Sequence, residues 1–365
     1  MRIALDVSNA VRSEATGVAV YIRQLVAALA SVAPEERFTL AHRLSRVRHR
    51  RRFVKPPAPN FRSKLLAEGW HPFWGRKVDV FHGLDARLPG PWMKARLVVT
   101  IHDVFSALQS DTFATAEFRA MKAERYRDLV ARADRIIVVS EASKNDVLET
   151  LEPVPEKLRV IHEAAAEEFK PQREKDVQQI RERHGLDRPY LLYVGSINRR
   201  KNVPAMVRAF LRAREKTHSD AMLAIAGRIG FGGDEIMAAL GLDEPRDEIK
   251  LLGYVPNQEL APLYAGAWGL LFVTLYEGFG IPVVEAMRCG CPVIGGTKGS
   301  VPEVAGDAAL LADPASEDEI ESQIEKLLTG EALRNELRDK GLERAKAFSW
   351  SKTARETVGV YRELV

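Results

Sequence analysis

Short apolar, β-branched segments alternate with segments of helical periodicity throughout this chain, and the alternation restarts near residue 190. The first series predicts strands at 2–7, 38–42, 79–82, 96–101, 135–140 and 157–161. The second series predicts strands at 190–195, 221–226, 250–254, 269–274, 292–295 and 309–311. Apolar strands that alternate with helices form parallel sheets covered on both faces. We therefore expect an α/β protein with two doubly wound parallel-sheet domains in tandem.

The length of 365 residues agrees with two domains, because a typical domain has roughly 150 residues. We expect the first domain at 1–166 and the second at 189–348. The charged stretch 167–188 has Pro171 and Pro189 near its ends, so it is predicted to be the linker between them. Residues 349–365 form a separate C-terminal segment.

Several classes of protein are disfavoured by the sequence. The two cysteines, Cys289 and Cys291, are too few for a disulfide framework or a four-ligand zinc site. No apolar run approaches the roughly 20 residues that cross a bilayer, and Asp6 follows the start too soon for a signal peptide. The G-x-G-x-x-G and G-x-x-x-x-G-K-[ST] motifs are missing, which disfavours a dehydrogenase and a P-loop NTPase. We expect a cytoplasmic protein.

The net charge of +4 conceals a polarity between the two halves. Residues 1–165 carry 27 Lys or Arg against 19 Asp or Glu, and the remaining residues carry 27 against 31. Nine basic residues and no acid lie between Arg43 and Lys64, and Trp70, Phe73 and Trp74 follow. The stretch 43–74 is either a solvated loop or a contact for an anionic acceptor or the inner face of a membrane. Nucleic acid is disfavoured, because no nucleic-acid-binding motif accompanies the charge.

Residues 276–287 combine glycines, acids and a helix start directly after a predicted strand. Gly278 and Gly280 allow close approach of the backbone, and a proline follows at a position suited to the first turn of a helix. Free amides at a helix N-terminus bind anions. Glu277 and Glu285 beside such a site are unfavourable unless they accept hydrogen bonds from hydroxyls, which a ribose or a hexose would supply.

Three cations follow the first strand of the second domain, at Arg199, Arg200 and Lys201. Such a cluster either faces solvent or binds an anion. A diphosphate leaving group is one such anion, and fixed cations stabilise the charge that develops on it.

In the first domain, His102 and Asp103 end a predicted strand. A histidine there is a candidate general base, a metal ligand or a packed core residue. One His and one acid make a poor metal site, and no D-x-D pattern is present. His82 ends a neighbouring strand, and Gly17 opens the helix after the first strand.

Residues 276–287 resemble the Glu-x₇-Glu motif of retaining nucleotide-sugar glycosyltransferases, in particular the mannosyltransferase-like members of family 4. Residues 252–255, 263–265, 291–294 and 301–307 resemble the same family in the same order. The resemblance implies the GT-B architecture, in which two Rossmann-like domains face each other across a cleft. It also implies that a helix near 351–364 returns to the first domain.

The resemblance implies roles for individual residues. Those expected at the reacting centre are His102, which contacts the sugar near its 6-hydroxyl, Lys201, Arg200 and Glu277. Those expected to bind the donor are Gly17, Ser196, Gly278, Phe279, Gly280 and Glu285. Acceptor contacts are expected at His82, Arg12 and Thr16. Two departures stand out: Ser196 lies where many members have Arg, and Gly17 is one glycine where many have two.

The implied activity is transfer of a hexose, with mannose favoured, from a nucleoside-diphosphate sugar to a hydroxyl of a glycan, a lipid-linked acceptor or a polysaccharide precursor. GDP-mannose is favoured over UDP- and dTDP-sugars. The implied mechanism is a front-face substitution that retains configuration and needs no metal or other cofactor. Two alternatives remain: a sugar-nucleotide epimerase or hydrolase of the same architecture, and a non-catalytic protein that binds a nucleotide sugar.

Overall fold

The computed structural model describes residues 1–11, 16–46, 58–67, 78–105, 115–230, 232–242 and 246–365. These residues form two compact units. The first consists of 1–163 together with 349–365, and the second of 164–348. Among the described residues, no helix has both the length and the hydropathy that crossing a membrane requires.

The described residues of the first unit contain a parallel sheet with the strand order β3-β2-β1-β4-β5-β6-β7. Its strands are β1 (Arg2–Asp6), β2 (Arg37–Arg43), β3 (Phe61–Leu66), β4 (Val80–Gly83), β5 (Arg96–Ile101), β6 (Arg135–Val138) and β7 (Leu158–Val160). The helices assigned to it are α1 (Gly17–Val32), α2 (Ala116–Arg132), α3 (Glu141–Leu151) and, from the end of the chain, α12 (Trp350–Arg362).

Strand β3 lies within the basic stretch 43–74, where no strand was predicted. Residues 62–64 of this strand are exposed, so it lacks the apolar run that marks the buried strands. It occupies the edge of the sheet, where charged side chains are tolerated and protect the open edge from pairing. Its anchor is Phe61, which stacks on Phe38 of β2 with ring centroids 4.6 Å apart.

The described residues of the second unit contain a parallel sheet with the strand order β10-β9-β8-β11-β12-β13. Its strands are β8 (Tyr190–Val194), β9 (Met222–Ala226), β10 (Ile249–Gly253), β11 (Gly269–Phe272), β12 (Val293–Gly296) and β13 (Leu310–Ala312). Its helices are α4 (Glu174–His184), α5 (Val203–Lys216), α6 (Gly233–Ala239), α7 (Asn257–Gly266), α8 (Ile281–Arg288), α9 (Val301–Ala305), α10 (Glu317–Thr329) and α11 (Glu331–Ala345).

The stretch 167–188, predicted as a linker, contains helix α4 and belongs to the second unit. Val177 and Ile180 of α4 are buried, and the other nine residues of the helix are polar or charged. Two apolar positions suffice for a helix that lies on the surface of a sheet domain, but they are too few to stand out as helical periodicity in the sequence.

Both sheets reverse their strand order beside the first strand, between β1 and β4 in the first unit and between β8 and β11 in the second. The loops that leave two such strands diverge, and ligands bind in the resulting crevice at the carboxyl ends of the strands. In the second unit, the loop after β8 carries the three cations and the loop after β11 carries Glu277. The topology therefore brings together two segments that are about 75 residues apart in sequence.

Candidate active site

A buried ion pair joins the two loops at the switch point of the second unit. Lys201 ends a 3₁₀ turn (Arg199–Lys201) after β8, and its Nζ lies 2.6 Å from Oε1 of Glu277. Both residues are less than 10% exposed. Burial alone would raise the pKa of Glu277, but the charges of Lys201 and Arg200 and the bond from Lys201 lower it. Glu277 is therefore an anion at neutral pH.

Asn202 holds the loop of Lys201 in place. Its backbone is left-handed, with φ of 56°, and its side-chain amide donates to the carbonyls of Val273 (3.1 Å) and Pro314 (2.8 Å). The amide of Leu275 also donates to the carbonyl of Arg200 at 3.0 Å. No role was predicted for Asn202, although Asn adopts the left-handed conformation more readily than most other residues.

Glu277 is held from its other side by the loop after β12. The amide and the hydroxyl of Ser300 both donate to the Glu277 carbonyl, at 3.2 and 3.0 Å. The preceding residue is Gly299, with φ of +65°, where a Cβ would lie 2.7 Å from the same carbonyl oxygen. Neither residue was predicted from the sequence, because their contacts with Glu277 depend on the pairing of β12 with β11.

Glu285 lies in the second turn of α8, and no cation of the described residues forms an ion pair with it. The hydroxyl of Tyr264 in α7 donates to its Oε2 at 3.0 Å. Burial raises the pKa of Glu285 to about 7, against the opposing effect of the Tyr264 bond, and the charge of Glu168 adds to the increase. The pKa is therefore lowered for Glu277 and raised for Glu285, although both acids belong to one motif.

The other residues predicted to bind the donor lie on the loops after β8 and β11. Gly280 caps α8 with φ of +94°. Pro282 has no amide hydrogen and the Val283 amide donates to the Gly280 carbonyl at 2.9 Å, so among the first three residues of the helix only Ile281 keeps an amide outside these bonds. Ser196 is exposed beyond the end of β8. Phe279 corrects the prediction in part: its side chain is buried edge-on against Phe348, with centroids 5.7 Å apart, so only the backbone of Phe279 remains for a ligand.

His102 follows β5 in the first unit, and both of its ring nitrogens already have partners. Nδ1 lies 2.9 Å from Oε1 of Glu163, and Nε2 lies 3.0 Å from the carbonyl oxygen of Leu84. The predicted contact of this ring with a sugar hydroxyl therefore requires one of these bonds to break. A role as general base is not supported either, because neither nitrogen presents a free lone pair.

His82, which was predicted as an acceptor contact, lies in the interior of the first unit. It is completely buried, with Nδ1 2.7 Å from the Tyr361 hydroxyl and Nε2 2.8 Å from the Thr100 hydroxyl. Burial and the positive charge of His102 lower its pKa to about 3, so it is neutral. His82 thus connects β4 and β5 to α12 within the first unit.

Two further predicted residues, Thr16 for the acceptor and Gly17 for the donor, lie at the start of α1. Thr16 caps α1, because its side chain accepts a hydrogen bond from the amide of Ala19 at 3.3 Å. Gly17 is the first residue of that helix. Arg12 lies outside the described residues. In the described ranges, no group of three or more His, Cys, Asp and Glu side chains is arranged to hold a metal ion.

Two family models match the chain. Residues 174–344 match the family described as glycosyl transferases group 1, and residues 15–166 match glycosyltransferase family 4. The O-antigen chain mannosyltransferase B of Escherichia coli is 29% identical over 294 residues, which are 79% of this chain and 75% of that protein. The serotype-specific mannosyltransferase WbdA of Escherichia coli is 26% identical over 75% of this chain, and the match spans about a third of WbdA, 34% of its length.

Solved structures share the fold over the whole chain. Sucrose-phosphate synthase from Thermosynechococcus elongatus has a TM-score of 0.77 at 21% identity and covers 100% of this chain and 99% of its own. HepE of Anabaena, in complex with UDP and glucose, has a TM-score of 0.76 at 14% identity, with the same coverage. The fold is therefore the GT-B architecture, which confirms the predicted fold class.

The electrostatic contrast between the two glutamates predicts opposite effects on stability. The pKa of Glu285 is raised above its ordinary value of 4.5, so its contribution to the free energy of unfolding falls as the pH rises from about 4.5 to about 7. We expect Glu285→Gln to stabilise the protein by roughly 1–3 kcal/mol at pH 8 and to have little effect at pH 5. Thermal unfolding at both pH values measures this difference. The matched variant Glu277→Gln should destabilise at pH 8, because it leaves Lys201 buried without its anion. Equal effects of the two substitutions would contradict the assignment.

Proposed function

Because the chain belongs to the group 1, family 4 glycosyltransferases, we propose that it transfers a hexose, mannose in the first instance, from a nucleoside-diphosphate sugar to a hydroxyl of a glycan, a lipid-linked acceptor or a polysaccharide precursor. The observation that carries the proposal is the buried Lys201–Glu277 pair, which lies at the switch point beside the N-terminus of α8. The mannosyltransferase names of the relatives support the choice of sugar, and GDP-mannose is the donor that we propose.

The ion pair suggests how a donor would be recognised. Lys201 and Glu277 neutralise each other in the absence of ligand, so a ligand that separates them must supply an anion for Lys201 and hydrogen-bond donors for Glu277. A nucleoside-diphosphate sugar has both, in its phosphates and in its sugar hydroxyls. The amides at the start of α8 would bind a phosphate oxygen or a sugar hydroxyl. Arg200 and Ser196, on the same loop as Lys201, complete the proposed donor contacts.

The proposed reaction is a front-face substitution with retention. The bond between the anomeric carbon and the phosphate oxygen breaks, and the acceptor oxygen forms a bond to that carbon from the same face. The acceptor proton passes to the departing phosphate oxygen. Lys201 stabilises the negative charge that develops on the diphosphate, and this stabilisation is the basis for proposing that transfer needs no metal.

Glu285 is proposed to bind the ribose hydroxyls. The ionised form of this carboxylate is poorly stabilised in the free protein, because it is buried and its hydrogen bond comes from an uncharged group, the Tyr264 hydroxyl. Two adjacent hydroxyls would donate two further hydrogen bonds and would favour the ionised form. The same feature that destabilises the protein at alkaline pH would therefore contribute to donor affinity.

A panel of donors tests the proposed reaction. We expect release of nucleoside diphosphate to be fastest with GDP-mannose and a mannose-terminated glycan, slower with UDP-glucose and dTDP-glucose, and unchanged by EDTA. NMR of the product should show an α-mannoside, since GDP-mannose is an α-glycoside. Donor consumption without an acceptor would support a hydrolase or an epimerase instead. Binding of donors without any turnover would support the non-catalytic alternative.

The cationic turn contains its own control for the role of Lys201. Lys201→Met should lower kcat by two or more orders of magnitude, because it removes the charge that stabilises the leaving diphosphate. Arg199→Met removes a charge two residues away, where the guanidinium is about half exposed and pairs with Glu235 at 3.1 Å. That variant should stay within a few-fold of wild type. Equal losses in both variants would contradict the assignment of Lys201.

We also propose that the basic stretch 43–74 contacts a membrane that carries the acceptor. Most of it lies outside the described residues, but Arg62 and Lys64 are exposed on the edge strand β3. Each basic residue near an anionic surface contributes about 1 kcal/mol to binding. Support for this proposal comes from the charge of the stretch and from the O-antigen name of one relative.

Sedimentation with vesicles tests the membrane contact. The protein should bind vesicles with a third of anionic lipid more tightly than vesicles of phosphatidylcholine alone, and Arg62→Gln with Lys64→Gln should weaken binding several-fold. The matched control is Lys352→Gln with Arg355→Gln, which removes the same charge from the exposed face of α12 in the same unit. Equal weakening by both pairs would indicate an effect of total charge, and no binding at all would refute the contact.

A further inference from the structure

The carboxylate of Glu163 is bound to a histidine that the sequence analysis placed at the reacting centre, yet Glu163 itself has no assigned role. It follows β7 in the first unit, while His102 follows β5. Glu163 is 5% exposed, so the pair is largely shielded from water. The distance of 2.9 Å between Oε1 of Glu163 and Nδ1 of His102 is that of a charge-assisted hydrogen bond.

The hydrogen bonds of both ring nitrogens indicate the protonation state of His102. A backbone carbonyl oxygen can only accept, so Nε2, 3.0 Å from the oxygen of Leu84, must carry a hydrogen. The hydrogen between Nδ1 and the carboxyl oxygen belongs to the ring, because a carboxyl group is a stronger acid than an imidazolium. A ring with hydrogens on both nitrogens is an imidazolium cation. The geometry thus indicates a cation paired with the Glu163 anion.

The surroundings favour this charged state. Burial alone would lower the pKa of His102, but the bond and the charge of Glu163, the charge of Asp85 and the Leu84 carbonyl together raise it to about 9. Besides Asp85, two titratable groups that interact with this pair are neutral: His82 has a pKa of about 3, and burial raises the pKa of Tyr21 above its ordinary range. The edge of the Tyr21 ring packs against the His102 ring, with centroids 4.6 Å apart and planes at 83°.

We propose that Glu163 is a positioning residue that keeps His102 as an imidazolium of fixed orientation, so that His102 takes part in transfer as a cation and never as a proton acceptor. The kinetic part of this inference rests on the proposed glycosyl transfer. The part that concerns protonation does not, because it describes the protein without ligand. A fixed cation would stabilise negative charge during the reaction, whereas a neutral imidazole would not.

The sign of the pH dependence follows from the raised pKa. The ion pair contributes stability fully below the ordinary histidine pKa of 6.5, and this contribution is lost as the pH rises through about 9. A variant without the carboxylate charge should lose the cation at lower pH. The loss of one close opposite charge lowers a histidine pKa by about 1–3 units.

NMR titration of the histidine rings tests protonation directly. In protein labelled with ¹⁵N-histidine, with the His102 signal assigned through His102→Gln, we expect this ring to remain protonated to above pH 8. In Glu163→Gln it should titrate about 2 units lower, and in Glu163→Asp it should remain close to wild type. The matched control is Glu259→Gln, which removes the other described His–Glu bond, 3.0 Å long to His184, and should leave the His102 titration unchanged.

Kinetics at two pH values separates positioning of charge from a structural effect. If the pKa of His102 falls to about 7, kcat of Glu163→Gln should be about tenfold below wild type at pH 8 and close to wild type at pH 6. An equal loss at both pH values would show a structural role and overturn the kinetic inference. Titration of wild-type His102 near pH 6.5 would overturn the inference as a whole. If His102 stays protonated as expected but no donor turns over, the proposed function fails and the assignment of protonation stands.

Discussion

The ion pair between Lys201 and Glu277 is the interaction around which the second unit's candidate site is organised. Burying two charges is costly, and their attraction offsets the cost only when the geometry is held tightly. Three loops supply that geometry, through Asn202 after β8, through the segment of Glu277 itself after β11, and through Ser300 after β12. In the proposed function, a nucleotide sugar gives both partners new contacts: its phosphates bind Lys201, and its sugar hydroxyls bind Glu277. The same contact thus contributes to stability and, in the proposed function, to recognition of the donor.

Two other buried carboxylates, Glu285 in the second unit and Glu163 in the first, have different partners. The partner of Glu285 is the uncharged hydroxyl of Tyr264, so burial raises the pKa of Glu285 and its ionisation destabilises the folded protein. Glu163 lies 2.9 Å from Nδ1 of His102, and we have proposed that this bond keeps the ring an imidazolium. The local partner decides which role each acid has.

Much of the fold could be predicted from the sequence, because strands buried on both faces are continuous apolar runs. All twelve predicted strands are present, with ends shifted by one or two residues. The failures have physical reasons. Strand β3 is an edge strand with charged residues, and helix α4 has only two buried side chains, so neither shows the pattern of a buried element. The burial of His82 could not be predicted, because its partner Tyr361 is more than 270 residues away in sequence.

The hydrophobic periodicity of the sequence by itself determined the two parallel α/β domains, and the resemblance of its motifs indicated the family and the candidate site residues. Only the tertiary structure decided which groups are charged and which are available. Glu277 and Glu285 are eight residues apart in one motif, yet one pairs with Lys201 and the other with the hydroxyl of Tyr264. His102 resembles a contact residue in sequence but is held by Glu163 and Leu84. Charge state depends on partners, and the partners come from strands that are distant in sequence and adjacent in the sheet.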